Sequence, residues 1–223
     1  MKINTILFDL DGTLVDTSLG IINSIQYTIQ KLKLPSLSEQ MLYSFIGPPV
    51  KRRMMEIYQL SEESAACAMR IFREKYGKED LFRAQIYSGV KETLSTLRRD
   101  FNLGVATYKR EDQAENLLKK MKLDKFFDII CGSDSQATLS KSDIIKKAYI
   151  GLSANPQETV LVGDSENDAV GTAEAGIYFI GVTYGFGFKR ATEVERYSHI
   201  GVAVDIKEIE IIISTINNIL YVS

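Results

Sequence analysis

Asp9 and Asp11 stand one residue apart in "ILFDLDGTLVDTS" (residues 6–18), within a run that is otherwise strongly apolar. Burying a carboxylate is costly unless something offsets its charge. Either the strand ends here and the aspartates cap a turn, or something positive is held between them. Further residues of matching chemistry follow: Thr107 in "GVATYKR", Lys141 in "TLSKSD", and Asp164 with Asp168 in "LVGDSENDAVGTAEAG". Ser140 is suited to cap a helix that opens at Lys141, with Asp143 three residues on. Asp164 directly follows an apolar run, and Asp168 shares a helical face with it if the helix has begun. Carboxylates in this number suit a hard cation such as Mg2+. A lysine and a hydroxyl among them suit a phosphoryl group, and a carboxylate can itself attack phosphorus to give an aspartyl-phosphate.

These residues lie far apart in sequence, so the elements between them must gather them. Thr5–Phe8 reads as a first strand. Ile22, Ile25, Ile29 and Leu32 then recur at helical spacing up to Pro35, and Ser38–Phe45, Pro48–Leu60 and Ser61–Tyr76 read as further helices. No strand pattern falls between residues 17 and 83, which predicts a separate block of four helices. From Tyr87 onward short apolar strands alternate with helices: strands at Leu103–Thr107, Asp128–Cys131, Thr159–Val162, Tyr178–Val182 and near Val202–Val204, and helices at Val90–Arg99, Glu111–Met121, Ser142–Gly151 and Asp168–Ala175. That alternation predicts an α/β fold whose parallel sheet is covered on both faces. Ligands of such sheets bind outside the carboxyl ends of the strands, where Asp9, Asp11, Thr107 and Asp164 all fall.

The ordered set of "DLDGT", a strand-end threonine, a lone lysine and "GD" followed by another aspartate resembles the haloacid dehalogenase superfamily over essentially the whole chain. The helical insert after the first strand resembles the cap of its phosphoglycolate phosphatase-like branch. The resemblance implies a Rossmann-like core at residues 1–16 and 84–223 and an all-helical cap at 17–83. It also implies a role for each motif residue. Asp9 would be the nucleophile, and Asp11 the general acid and then the base that activates water. Thr107 and Lys141 would hold the phosphoryl oxygens. Asp164 would complete a Mg2+ site with the Asp9 side chain and the Asp11 carbonyl, and Asp168 would be a weak ligand or an orienting neighbour. Dehalogenases of the superfamily lack an acid at the position of Asp11, and its mutases carry a cap histidine, whereas the only histidine here is His199. The implied activity is hydrolysis of a small phosphorylated metabolite, phosphoglycolate phosphatase-like, with a 5′-nucleotidase or a pyrophosphatase as the alternative. A non-catalytic phosphate-binding regulatory protein is the rival from another class. Ser142 and Tyr108 stand where relatives often carry Pro and Asn or Ser, which bears on loop shape.

Specificity is expected in the insert. In "FIGPPVKRRMM", Lys51, Arg52 and Arg53 open a helix, an end whose dipole favours anions. Lys51 and Arg52 are therefore candidate contacts for an anionic leaving group. "CAMRIFR" (residues 67–73) formally matches a cysteine phosphatase string, but Met69 and Phe72 at core spacing make it a helix. "GVTYGFG" is rejected as a dinucleotide loop because no helix opens on it. Among 223 residues, 27 are Lys or Arg and 29 Asp or Glu, a net charge of −2 that argues against a nucleic acid polymer or an anionic membrane as partner. Hydrophobic residues make up 45%, enough for a core, while no apolar run reaches membrane-spanning length and the first one is cut by Asp9. Two cysteines make no disulfide framework. A cytoplasmic monomer or homodimer is expected.

Overall fold

The computed structural model describes residues 2–219. The chain divides into two compact units, one taking the chain up to Val15 and again from Ile86 onward, the other Asp16–Gln85. Two two-residue strands, β2 (Val15–Asp16) and β3 (Gln85–Ile86), mark the crossings.

The first unit is a six-stranded sheet of β1 (Thr5–Phe8), β4 (Asn102–Arg110), β5 (Ile129–Ser133), β6 (Thr159–Gly163), β7 (Tyr178–Val182) and β8 (Gly201–Ala203). Every pairing is parallel, in the order β5-β4-β1-β6-β7-β8. This is the α/β, Rossmann-like architecture. Ile6, Leu7 and Phe8 are fully buried, as a central strand covered on both faces requires. Helices α5 (Val90–Leu97), α6 (Glu111–Met121), α7 (Lys141–Gly151), α8 (Glu166–Ala175), α9 (Ala191–Val194) and α10 (Glu208–Ile219) follow the strands. Ile144, Ile145 and Ala148 of α7 pack on Leu7, Ala106, Cys131 and Leu161 of four neighbouring strands.

The strand order fixes where a ligand can sit. From β1 the chain steps outward to β4 and β5, then returns to the other side of β1 for β6, β7 and β8. The two halves diverge between β1 and β6, which opens a crevice at the carboxyl ends of those strands. Phe8 pairs with Val105 on one side and Val162 on the other, so Asp9 leaves the sheet level with the residues just before Thr107 and Asp164.

The second unit is helical: α1 (Ser18–Lys31), α2 (Glu39–Tyr43), α3 (Val50–Tyr58) and α4 (Glu62–Lys75), followed by a π-helical turn at Tyr76–Asp80. Helix α1 ends before Pro35: Leu32 caps it and Lys33 turns into the left-handed region with φ 53°. Asp80, fully buried, accepts from Asn23 Nδ2 and from Ser24 Oγ at 2.8 Å, tying α1 to the π-helical turn. The string containing Cys67 lies inside α4. Among the described residues no helix is long and apolar enough to cross a membrane.

Candidate active site

The site begins with Asp9, held at the end of β1 by its own N–H, which donates to Val162 O at 2.9 Å. Its Oδ1 lies 2.6 Å from Lys141 Nζ, a residue 132 positions further along the chain. Lys141 is the first residue of α7, where the helix dipole disfavours a cation. A capping box fixes that helix start: Ser140 Oγ accepts from Asp143 N and Asp143 Oδ2 accepts from Ser140 N. Tyr108 also pins it. Its hydroxyl accepts from Lys141 N at 2.9 Å, and its ring centroid lies 5.7 Å from Lys141 Nζ.

Lys141 Nζ also lies 2.6 Å from Asp168 Oδ1, with both side chains almost wholly buried. The other oxygen of Asp168 closes a second capping box, accepting from Ser165 N at 3.0 Å and Ser165 Oγ at 2.6 Å at the start of α8. Asp168 therefore ties a helix start to the site lysine.

Asp164, just past β6, is oriented by backbone donors. Its Oδ2 accepts from Phe186 N at 2.6 Å and Gly187 N at 2.9 Å. These donors come from the "YGFG" segment that follows β7, rejected above as a dinucleotide loop and now seen as a clamp on an acid. The close approach depends on glycine: a Cβ on Gly12 (φ +93°) would fall 2.3 Å from Asp164 Oδ2, and one on Gly185 would fall 2.2 Å from Gly12 O.

Asp9, Asp164 and Asp168 each present a carboxylate oxygen within 4.8 Å of the others'. Three buried carboxylates thus face a single ammonium. Burial raises Asp9 from 3.8 to about 8, against the pull of Lys141 and with added repulsion from the neighbouring acids. Burial and the charge of Asp168 raise Asp164 from 3.8 to about 7, against the two loop N–H groups. For Lys141, burial acts to lower the value but is outweighed by Asp168 and Asp9, which hold it above its ordinary range. A divalent cation supplies the two positive charges that the ionised set lacks, and three hard oxygen donors suit Mg2+. The residues present fit the ion.

Asp11 is placed differently. Its Oδ2 lies 3.0 Å from Lys109 Nζ, with both side chains at most a tenth exposed. Thr107, buried one turn of the strand pleat earlier, accepts from Lys109 N through Oγ1 at 3.2 Å. Sequence reasoning missed Lys109. The signal for it is its place two residues past Thr107, at the same strand end.

Lys51 and Arg52 lie in the helical unit, and the anion that their position called for is there as well. Lys51 pairs with Glu62, while Arg52 pairs with Glu56 at 2.8 Å one helical turn on. Arg53 shares Glu56 at 2.5 Å. Both pairs are solvent-exposed, and Lys51 and Arg52 stay candidate contacts for an anionic leaving group.

Residues 6–182 match the family model described as haloacid dehalogenase-like hydrolase. The chain is 30% identical over 201 residues to a 5′-nucleotidase of Pseudomonas aeruginosa, covering 89% of this chain and 91% of that protein. It is 33% identical over 186 residues to the pyrophosphatase PpaX of Bacillus mycoides, covering 82% and 85%. The crystal structure of a predicted phosphatase from Clostridium acetobutylicum superposes with a TM-score of 0.87 at 32% identity, covering 98% of this chain and 100% of that one. With Asp9 at its strand end, its buried acids and Lys141 inside the matched span, the chain belongs to the haloacid dehalogenase-like hydrolase family.

Proposed function

We propose that the chain is a Mg2+-dependent phosphatase that hydrolyses a small phosphomonoester through an aspartyl-phosphate on Asp9. The observation that carries this reading is Lys141 Nζ bridging Asp9 and Asp168 at 2.6 Å each, beside Asp164. That arrangement holds a buried carboxylate where an anionic phosphoryl group would otherwise be repelled.

In this reading an Asp9 carboxylate oxygen forms a bond to phosphorus while the bond to the leaving oxygen breaks. The proton on Asp11 passes to that leaving oxygen. Water then attacks the phosphoryl-aspartate, giving a proton to Asp11, and the Asp9–phosphorus bond breaks to release inorganic phosphate. Thr107 and Lys141 hold phosphoryl oxygens. Asp9 and Asp164, with the Asp11 carbonyl, would hold Mg2+, and Asp168 keeps Lys141 in place. When bound, Mg2+ supplies neutralising charge to the acids and to the phosphoryl group. Lys51 and Arg52, which also pair with Glu62 and Glu56, would meet an anionic leaving group.

A phosphoglycolate-like substrate is the first reading. The nucleotidase and pyrophosphatase relatives favour a 5′-nucleotide or pyrophosphate as the second. A panel of phosphorylated metabolites assayed with purified protein tests both, and absence of turnover on every member together with an aryl phosphate would reject the enzyme reading.

The acid–base assignment has its own test. Asp11→Asn should slow an alkyl phosphate by about 10²–10⁴-fold. An aryl phosphate, whose phenolate leaves with little protonation, should slow by less than about tenfold. Equal losses would assign Asp11 to structure instead.

The raised acids predict a pH-dependent response to the metal. Unfolded, Asp9 and Asp164 titrate near 3.8; folded, near 8 and 7. The folded state keeps protons that the unfolded state has lost, so without a cation stability falls as pH rises from about 4 towards 8. Mg2+ competes with those protons, and its stabilisation grows across the same window. At a fixed concentration about 100 times its Kd at pH 8, Mg2+ should raise Tm by about 5–10 °C at pH 8 and by about 2 °C or less at pH 5. Thermal melts at the two pH values check this, and equal shifts would reject it.

A further inference from the structure

We propose that Lys109 is a positioning residue: it holds Asp11 in the orientation needed for proton transfer to the leaving group. The inference rests on the reading of Asp11 as the proton donor and extends it to a residue outside the nucleophile, lysine and acid motifs.

The site contains two separate ion centres. Asp9, Asp164 and Asp168 gather around Lys141, whereas Asp11 lies outside that carboxylate group and meets Lys109 at 3.0 Å. Lys109 gives Asp11 a charged partner of its own in a buried setting, where leaving either member unpaired is strongly disfavoured. The 3.0 Å contact to Oδ2 sets the direction in which the Asp11 carboxyl group faces.

The backbone is shaped to deliver this lysine. Between the pairs Ala106–Cys131 and Arg110–Ser133, β4 advances four residues while β5 advances two. Such irregularities re-aim side chains near active sites. This one lies across Thr107–Lys109, and the Thr107 hydroxyl accepts from the Lys109 N–H at 3.2 Å within it. The hydroxyl assigned to the phosphoryl group and the lysine assigned to the acid are thus fixed by one hydrogen bond.

The test is a leaving-group series, from p-nitrophenyl phosphate to an alkyl phosphate, at saturating Mg2+. It uses the full chain and its Asp11→Asn, Lys109→Met and double variants. Lys109→Met should lose about 10–100-fold in kcat/KM on the alkyl phosphate and less than about threefold on p-nitrophenyl phosphate. The double variant should be no slower than Asp11→Asn alone, because two residues acting as a unit are not additive. The Mg2+ concentration for half-maximal activity should change by less than about twofold, a readout that general damage to the site would move. Equal losses across the series, or a double variant whose loss is the product of the two, would overturn the proposal and make Lys109 a contact of the phosphoryl group or of the scaffold. Should Lys109→Met not fold, Lys109→Gln is read by the same criteria; failure of both to fold would also overturn it, since the pair would then be holding the sheet together. If Asp11→Asn itself fails to discriminate between leaving groups, the acid–base reading falls. If Asp11→Asn discriminates and Lys109→Met does not, only the role of Lys109 falls.

Discussion

Asp9→Asn is expected to lower turnover by about 10⁴-fold or more while leaving the protein folded. The change is nearly isosteric, and Lys141 keeps Asp168 as its partner at 2.6 Å. Without a metal the substitution should not destabilise the protein near neutral pH. Burial disfavours the charge of Asp9, and an asparagine Oδ1 can still accept from Lys141 Nζ. Thermal melts in a chelator should give a Tm equal to or above that of the parent chain. Rapid quench with labelled substrate should place the phosphoryl group on the peptide containing Asp9, and label on any other peptide would reject the nucleophile assignment.

Removal of the metal is expected to have an effect of similar size. A chelator should reduce turnover by about 10³-fold, matching the several kcal/mol that a divalent cation contributes to a phosphoryl transition state. Ca2+ should not restore it, because its longer and looser coordination misplaces the reacting groups. Asp164→Ala should raise the Mg2+ requirement by at least about 10–100-fold. Gly185→Ala should move it in the same direction, since the added carbon would meet Gly12 O at 2.2 Å and Asp164 Oδ2 at 2.4 Å and push the clamp off the acid. Mg2+ titrations of activity and of Tm measure all three, and full turnover in a chelator would reject the metal reading.

What the sequence made legible follows a physical divide. The parallel sheet could be read because each central strand is a short apolar run between helical periods, and burial of Ile6, Leu7 and Phe8 on both faces is what produces such runs. Asp9 and Asp164 stood out because a charge at the end of a buried run is anomalous. Ser140 and Asp143 announced the start of α7 because the capping box is a local interaction with a fixed spacing. Long-range partners carried no comparable signal. Nothing near Asp164 in sequence indicates that Phe186 N and Gly187 N, more than twenty residues on, will donate to it. Lys109 reads as an ordinary polar residue past the end of the expected strand, because the strand was expected to stop at Thr107 and instead runs to Arg110. Lys51 and Arg52 looked unmet because Glu62 lies on a different helix from them, and Glu56 counts as a partner only once the helix register is known.

The clamp on Asp164 also bears on when the protein can first act. During synthesis Asp9 leaves the ribosome early, with nothing to restrain or assist it. Lys141 follows 132 residues later, and the N–H groups of Phe186 and Gly187 later still. Contacts separated so widely along the chain form late in folding, because the intervening loop must first be closed. A nascent chain that stopped short of the "YGFG" segment would carry Asp9 but could not orient Asp164. On the proposed reading, reactivity arrives only after most of the sheet has been made, and an emerging chain that meets a phosphate ester is not yet able to attack it.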